Sequence, residues 1–324
     1  MKGPEDDPNA ELWEKVAAVQ DRRIQGRTPV EALLDDAVEL VTLARAPRYD
    51  GCQARLCAYD QLISVYEALD PVGYAPEIAT TASELREEAS PSMTCWFCLG
   101  LSVARSARLS GDFAKARRVL DEARAEIRMK TYADLYYGAR LAAERVRLAH
   151  AEQDARAAEA AFAQLRRFVE LDRDACRGRP ELASRVADDE ELERELAVLV
   201  ELAKGEPAAA HRAYEAGCAK DAPNPGRLLI QHELLEALLA APGAVEPDPV
   251  PALLDDMRRF TEAQGYPRDA AKVALAEIAW CRARGGDEAP ARSRLEAALP
   301  KTRAEDLRLR ARELGLAVDA PGAP

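Results

Sequence analysis

The chain has 324 residues, a formal net charge of −12 and a pI near 5.0; 48% of its residues are hydrophobic and only 5% aromatic. So acidic a molecule repels phosphate backbones and anionic lipid surfaces, which argues against nucleic-acid and membrane partners. No run reaches the ~18 to 20 apolar residues of a membrane span, and the acidic start Met1–Pro8 lacks the apolar stretch of a leader, so a cytoplasmic protein is expected.

Ala, Leu, Glu and Arg dominate over β-branched and aromatic residues, which favours an almost wholly helical fold. Apolar spacing with Pro, Gly and Asp punctuation predicts helices at about 10–25, 30–45, 51–69, 75–89, 93–109, 112–129, 132–152 and 155–174. After a polar break at Arg177–Glu191 come about 188–204, 206–220, 226–241, 250–264, 268–284, 287–299 and 302–315. Short connections imply antiparallel neighbours. Residues 1–8 and 318–324 lack apolar periodicity and read as flexible tails. Residues 9–317 read as a single array, with further connectors at Asp221–Gly226 and near 242–251, the latter a hinge.

A Gly-Asp-x-Ala-x-Ala string occurs twice at a bend between amphipathic stretches, at Gly111–Ala116 and Gly286–Ala291. Around it stand Gly100, Val103, Ala104, Gly111, Ala116, Leu120 and Ala123, and again Leu275, Ile278, Ala279, Gly286, Ala291, Leu295 and Ala298. Weaker copies run through Ala142, Val146, Ala149, Ala158, Phe162 and Leu165, and through Gly205, Ala210, Tyr214 and Gly217. This pattern resembles the tetratricopeptide repeat. The bends at Gly111, Gln153, Gly205 and Gly286 lie further apart than that family's ~34 residues, so an irregular array is expected. The resemblance implies an all-α superhelix of stacked antiparallel hairpins. It further implies a non-catalytic adaptor or scaffold that needs no cofactor and holds a protein or peptide on its inner surface.

A second echo is independent of that family. Pro29-Val-Glu-Ala-Leu-Leu-Asp-Asp36 returns as Pro249-Val-Pro-Ala-Leu-Leu-Asp-Asp256, and Pro47-Arg48 returns at the same offset as Pro267-Arg268. Duplication of a two-helix unit that starts at one Pro and stops before another accounts for both.

Few motifs carry chemistry. Seven cysteines, an odd set in a large chain, fit a reducing compartment. Cys95-Trp-Phe-Cys98 has redox spacing at a helix start capped by Ser92 or Thr94, but no strand precedes it, so core filler is the expected role. A second Cys-x-x-Cys is missing, His150, His211 and His232 are isolated in sequence, and His232-Glu233-Leu-Leu-Glu236 lacks a second histidine, so zinc is not expected. Asp35, Asp36 and Glu39 share a helix face that suits magnesium in an all-helical enzyme, although Arg258 and Arg259 follow the echoed Asp255-Asp256. That enzyme, or a Cys95–Cys98 redox pair, is the competing reading. No phosphate loop or nucleophile elbow is present.

Charge distribution points elsewhere. Residues 101–147 hold eleven Lys and Arg against six Asp and Glu. Projection onto the inner helices places Arg105, Arg108, Arg140 and Arg147 to pair with acidic groups of a partner, with Trp280, one turn from Arg284, as an apolar anchor. Self-association through one end of the array is a third reading.

Overall fold

The computed structural model describes residues 9–24, 28–90, 94–127, 132–179, 182–218 and 225–316. The expected tails at 1–8 and 318–324, the Ser92 cap and most of the Asp221–Gly226 connector lie outside the described residues. Within them the fold is all-helical. In chain order the helices are α1 (Ala10–Ile24), α2 (Val30–Ala44), α3 (Gln53–Leu69), α4 (Ala75–Glu88), α5 (Thr94–Leu109), α6 (Phe113–Glu126), α7 (Tyr132–Ala151) and α8 (Ala155–Cys176). Then follow α9 (Ala183–Ala203), α10 (Pro207–Gly217), α11 (Pro225–Ala240), α12 (Val250–Gln264), α13 (Pro267–Arg284), α14 (Ala289–Ala298) and α15 (Glu305–Glu313). Consecutive helices pair along much of the chain, a generic helical-repeat packing. No described helix is long and apolar enough to cross a membrane.

The bends explain why Gly-Asp recurs. A helix that stops on a left-handed residue hands its last carbonyls to the next amides, and an Asp immediately after it can cap the following helix. Gly111 has φ 77°, and Asp112 then accepts from the Lys115 amide at 3.0 Å. Gln153 occupies the same conformation at φ 57°, the one non-glycine with positive φ among the described residues, and Asp154 accepts from the Ala157 amide at 2.9 Å. At the last bend the left-handed residue is Gly285 rather than Gly286, whose amide donates back to the Cys281 carbonyl at 2.8 Å. Because a side chain in this conformation is strained, Gln153→Gly should stabilise the fold by roughly 0.5–1 kcal/mol. A urea midpoint that rises with the slope unchanged is the expected readout.

The chain divides into two compact units, one from Met1–Ser110 with Arg258–Pro324 and the other Gly111–Met257. The boundaries fall between α5 and α6 and within α12. In the first unit α1, α2 and α3 close over Leu12, Val16, Leu40, Tyr49 and Ala58, and α4 packs on α5. Its C-terminal part shows the repeat pattern at work: Leu275 and Ile278 of α13 meet Ala291, Leu295 and Ala298 of α14 in one buried cluster. Two sequence-distant segments join at Asp70, which accepts from the Gly73 and Arg303 amides, both at 2.9 Å, and from Arg268 Nη1 at 3.1 Å. The echoed Pro-Arg strings therefore diverge, since Arg268 is buried here while Arg48 lies on the surface with Glu11 at 2.7 Å.

In the second unit α7 and α8 form the most extensive pair, with Ala142, Val146, Ala158 and Leu165 all buried. Ala116, Leu120 and Ala123 of α6 are buried as well, and α6 lies on α7. Helix α9 starts at Ala183, well before the expected start near residue 188. Its acidic opening, read as a polar break, is held by arginines from neighbouring helices: Asp189 takes Arg140 of α7, and Glu190 takes Arg173 of α8 at 2.9 Å.

Candidate functional site

The arginines singled out in sequence fall into both units and are engaged internally. Arg105 of α5 pairs with Glu67 of α3. Arg140 of α7 pairs with Asp189, which is fully buried, and stacks 4.4 Å from the Tyr136 ring centroid. Arg147 Nη1 lies 3.4 Å from Glu144 Oε2, a carboxylate that is also buried. Arg108 is half-buried on α5. Trp280 is half-buried on α13, with the Arg284 guanidinium 5.2 Å from its ring centroid. Three cations of 101–147, Arg105, Arg117 and Arg140, are met by carboxylates from outside the segment, namely Glu67, Glu152 and Asp189.

Arg105 belongs to a wider charge cluster between α1, α3 and α5. Burial, reinforced by Glu67, pushes the Asp60 carboxyl up to about 6 against the pull of Arg23 and Arg105. A raised acid binds protons more tightly folded than unfolded, so its stabilising contribution is complete below the unfolded pKa of about 3.9 and is lost as pH rises through about 6. Asp60→Asn should therefore stabilise the protein by about 1–2 kcal/mol at pH 7.5 and by little at pH 4. Parallel melts at the two pH values check it, and an equal gain at both would reject the linkage.

The magnesium and redox alternatives meet different surroundings. Asp35 is exposed, Asp36 is paired with Arg22 of α1, and Glu39 has Lys15 at 3.9 Å, so cations already stand where a metal would. Among the described residues no group of three or more His, Cys, Asp or Glu is arranged to hold a metal ion. Cys95 is buried at a helix interface, as expected of core filler. Its nearest sulfur in space is on α3, with Cys57 Sγ at 3.0 Å. His150 Nε2 meets Glu233 of α11 at 3.1 Å, and His232 beside it is buried at 3% exposure, so this stretch is not a solvated helix face.

The first unit also carries a cleft of about 220 Å³ that sequence reasoning missed. Tyr266, Ala270 and Val273 of the α13 region and Ala297 and Ala298 of α14 give it an apolar floor. Its rim bears three cations, Arg258, Arg294 and Lys301, and two carboxylates, Glu31 and Glu262. Lys301 reaches Glu31 at 3.1 Å, and Arg258 and Arg294 both approach Glu277, the former at 3.8 Å. Gly265, with φ 67°, lets the end of α12 approach the start of α2: a Cβ there would lie 3.2 Å from Pro29 Cβ. The helices that open with the duplicated Pro-Val-x-Ala-Leu-Leu-Asp-Asp string both contribute to the rim, α2 through Glu31 and α12 through Arg258 and Glu262. No protein-family model matches this chain, and neither a curated protein nor a solved structure is detectably similar to it.

Proposed function

We propose that this protein is a non-catalytic adaptor of tetratricopeptide-like construction, and that the cleft of the first unit receives one apolar side chain of an acidic peptide segment. The observation that carries this reading is the cleft's make-up, an apolar floor beneath a rim that bears Arg258, Arg294 and Lys301. At about 220 Å³ it is smaller than the roughly 300–1,000 Å³ of small-molecule pockets, which favours a single anchoring side chain over a whole ligand. Flanking acidic residues would meet Arg258, Arg294 and Lys301, while the net charge of −12 disfavours nucleic acid. In this reading Arg105 and Arg140 hold helices together, Arg147 pairs with Glu144 within α7, and the contacts are made elsewhere.

Fluorescence anisotropy with labelled peptides that place Leu, Ile or Phe between Asp and Glu residues tests the proposal. Saturable binding should weaken with salt, because the rim is solvent-exposed. Ala297→Arg fills the cleft from an exposed helical position, so it should cut affinity at least tenfold with the melting temperature unchanged. Binding indifferent to that substitution, or no saturable binding by any such peptide, would overturn the assignment.

A further inference from the structure

We infer that Cys57 and Cys95 are a cross-linking site, a thiol pair that a low-molecular-weight disulfide converts to a bridge between α3 and α5. Three observations meet there. The two sulfurs are 3.0 Å apart although the residues are 38 apart in sequence, so the packing of α3 on α5 has brought them within a small side-chain rotation of the ~2.05 Å bond. Cys57 is half-buried and Cys95 buried, which gives an oxidant a first point of attack and leaves the second thiol protected until the first has reacted. Cys98, half-buried on the next turn of α5, is the competing partner for Cys95.

The chemistry balances with a named oxidant. The Cys57 thiolate attacks a disulfide such as oxidised glutathione, forming a mixed disulfide and expelling one glutathione thiolate. The Cys95 thiolate then attacks Cys57 Sγ, forming the protein S–S bond and expelling the second. The protein loses two protons and two electrons, and the oxidant becomes two thiols. The hydrogen bond with Cys95 and burial both push the Cys57 thiol up, so it is a slow nucleophile at neutral pH, the opposite of a shuttling redox enzyme. All seven cysteines are thiols in the structure, so the cross-link is a second state of the protein.

The test uses the full chain, reduced and then incubated with oxidised glutathione. Tryptic mapping without reductant should join peptide 56–86 to peptide 87–105. The link should persist in Cys98→Ser, vanish in Cys57→Ser and in Cys95→Ser, and raise the melting temperature by about 5–10 °C through closure of a long loop. Three outcomes would each overturn the assignment: a loop within 87–105, a stable glutathione adduct on Cys57 alone, or Cys57 still alkylatable after prolonged oxidation.

Discussion

Replacing Arg268 by Ala should lower the stability of the first unit by about 3–5 kcal/mol, the cost of stranding a buried ionic partner. Arg268 is 7% exposed and joins three segments of chain. Its guanidinium donates to Asp70 at 3.1 Å and to both oxygens of Asp306, at 3.0 and 2.6 Å. Asp70 is 1% exposed, and without Arg268 only amides would face its charge. Burial works to raise the Asp306 carboxyl, yet the bonds from Arg268 outweigh it and hold that group below its ordinary range. The contribution of Asp306 is therefore present above the unfolded carboxylate pKa and is lost as pH falls through its folded value. A thermal melt should show a drop of roughly 10 °C at pH 7 and a smaller one near pH 3. An unchanged melt would mean that the segments bearing Asp70, Arg268 and Asp306 are held by apolar packing alone.

The second large effect is expected at Arg140. A cation that merely awaits a partner can be removed with little change in stability. Arg140 instead pairs with Asp189, whose side chain is 1% exposed, and stacks on Tyr136, which the Arg185 guanidinium also approaches at 5.2 Å. Arg185 in turn holds buried Asp172 through two bonds at 2.9 and 2.6 Å, so the site is two aspartates and two arginines around one ring. Arg140→Ala should cost about 3 kcal/mol by leaving Asp189 desolvated without its counter-charge. Burial already raises the Asp189 carboxyl although Arg140 pulls it down, and removing Arg140 raises it further. A raised carboxyl loses its stabilising contribution as pH rises, so the variant should be hurt more at pH 8 than at pH 5. Urea denaturation at both pH values measures this, and a variant as stable as the parent would return Arg140 to the surface-contact reading.

Helix positions were largely legible in the sequence because their causes are local. Apolar spacing set the buried faces, Pro29, Pro249 and Pro267 marked helix starts, and the Gly111-Asp112 and Gln153-Asp154 bends carry their own cap. Even Gln153, which lacks glycine's freedom, was recognisable as a bend from its place between two periodic stretches. Helix α9 was the exception at its start. The residues it adds, Ala183 to Ala187, fall in the stretch that looks like a polar break in one dimension, and Arg185 among them reaches buried Asp172 of α8 at 2.6 Å.

What the sequence by itself determined was the all-helical class, the helices' approximate ends and the faces they bury. All of these follow from interactions among residues a few positions apart. Only the tertiary structure decided where charge is available, because an ion pair is set by distance in space. Arg105 and Arg140 are matched by Glu67 and Asp189 from helices remote in sequence, a pairing that the local surplus of arginine does not reveal. The same holds for the cleft and the Cys57–Cys95 pair. Each joins residues whose separation along the chain carries no pattern, and each exists because helix packing removed the distance between them.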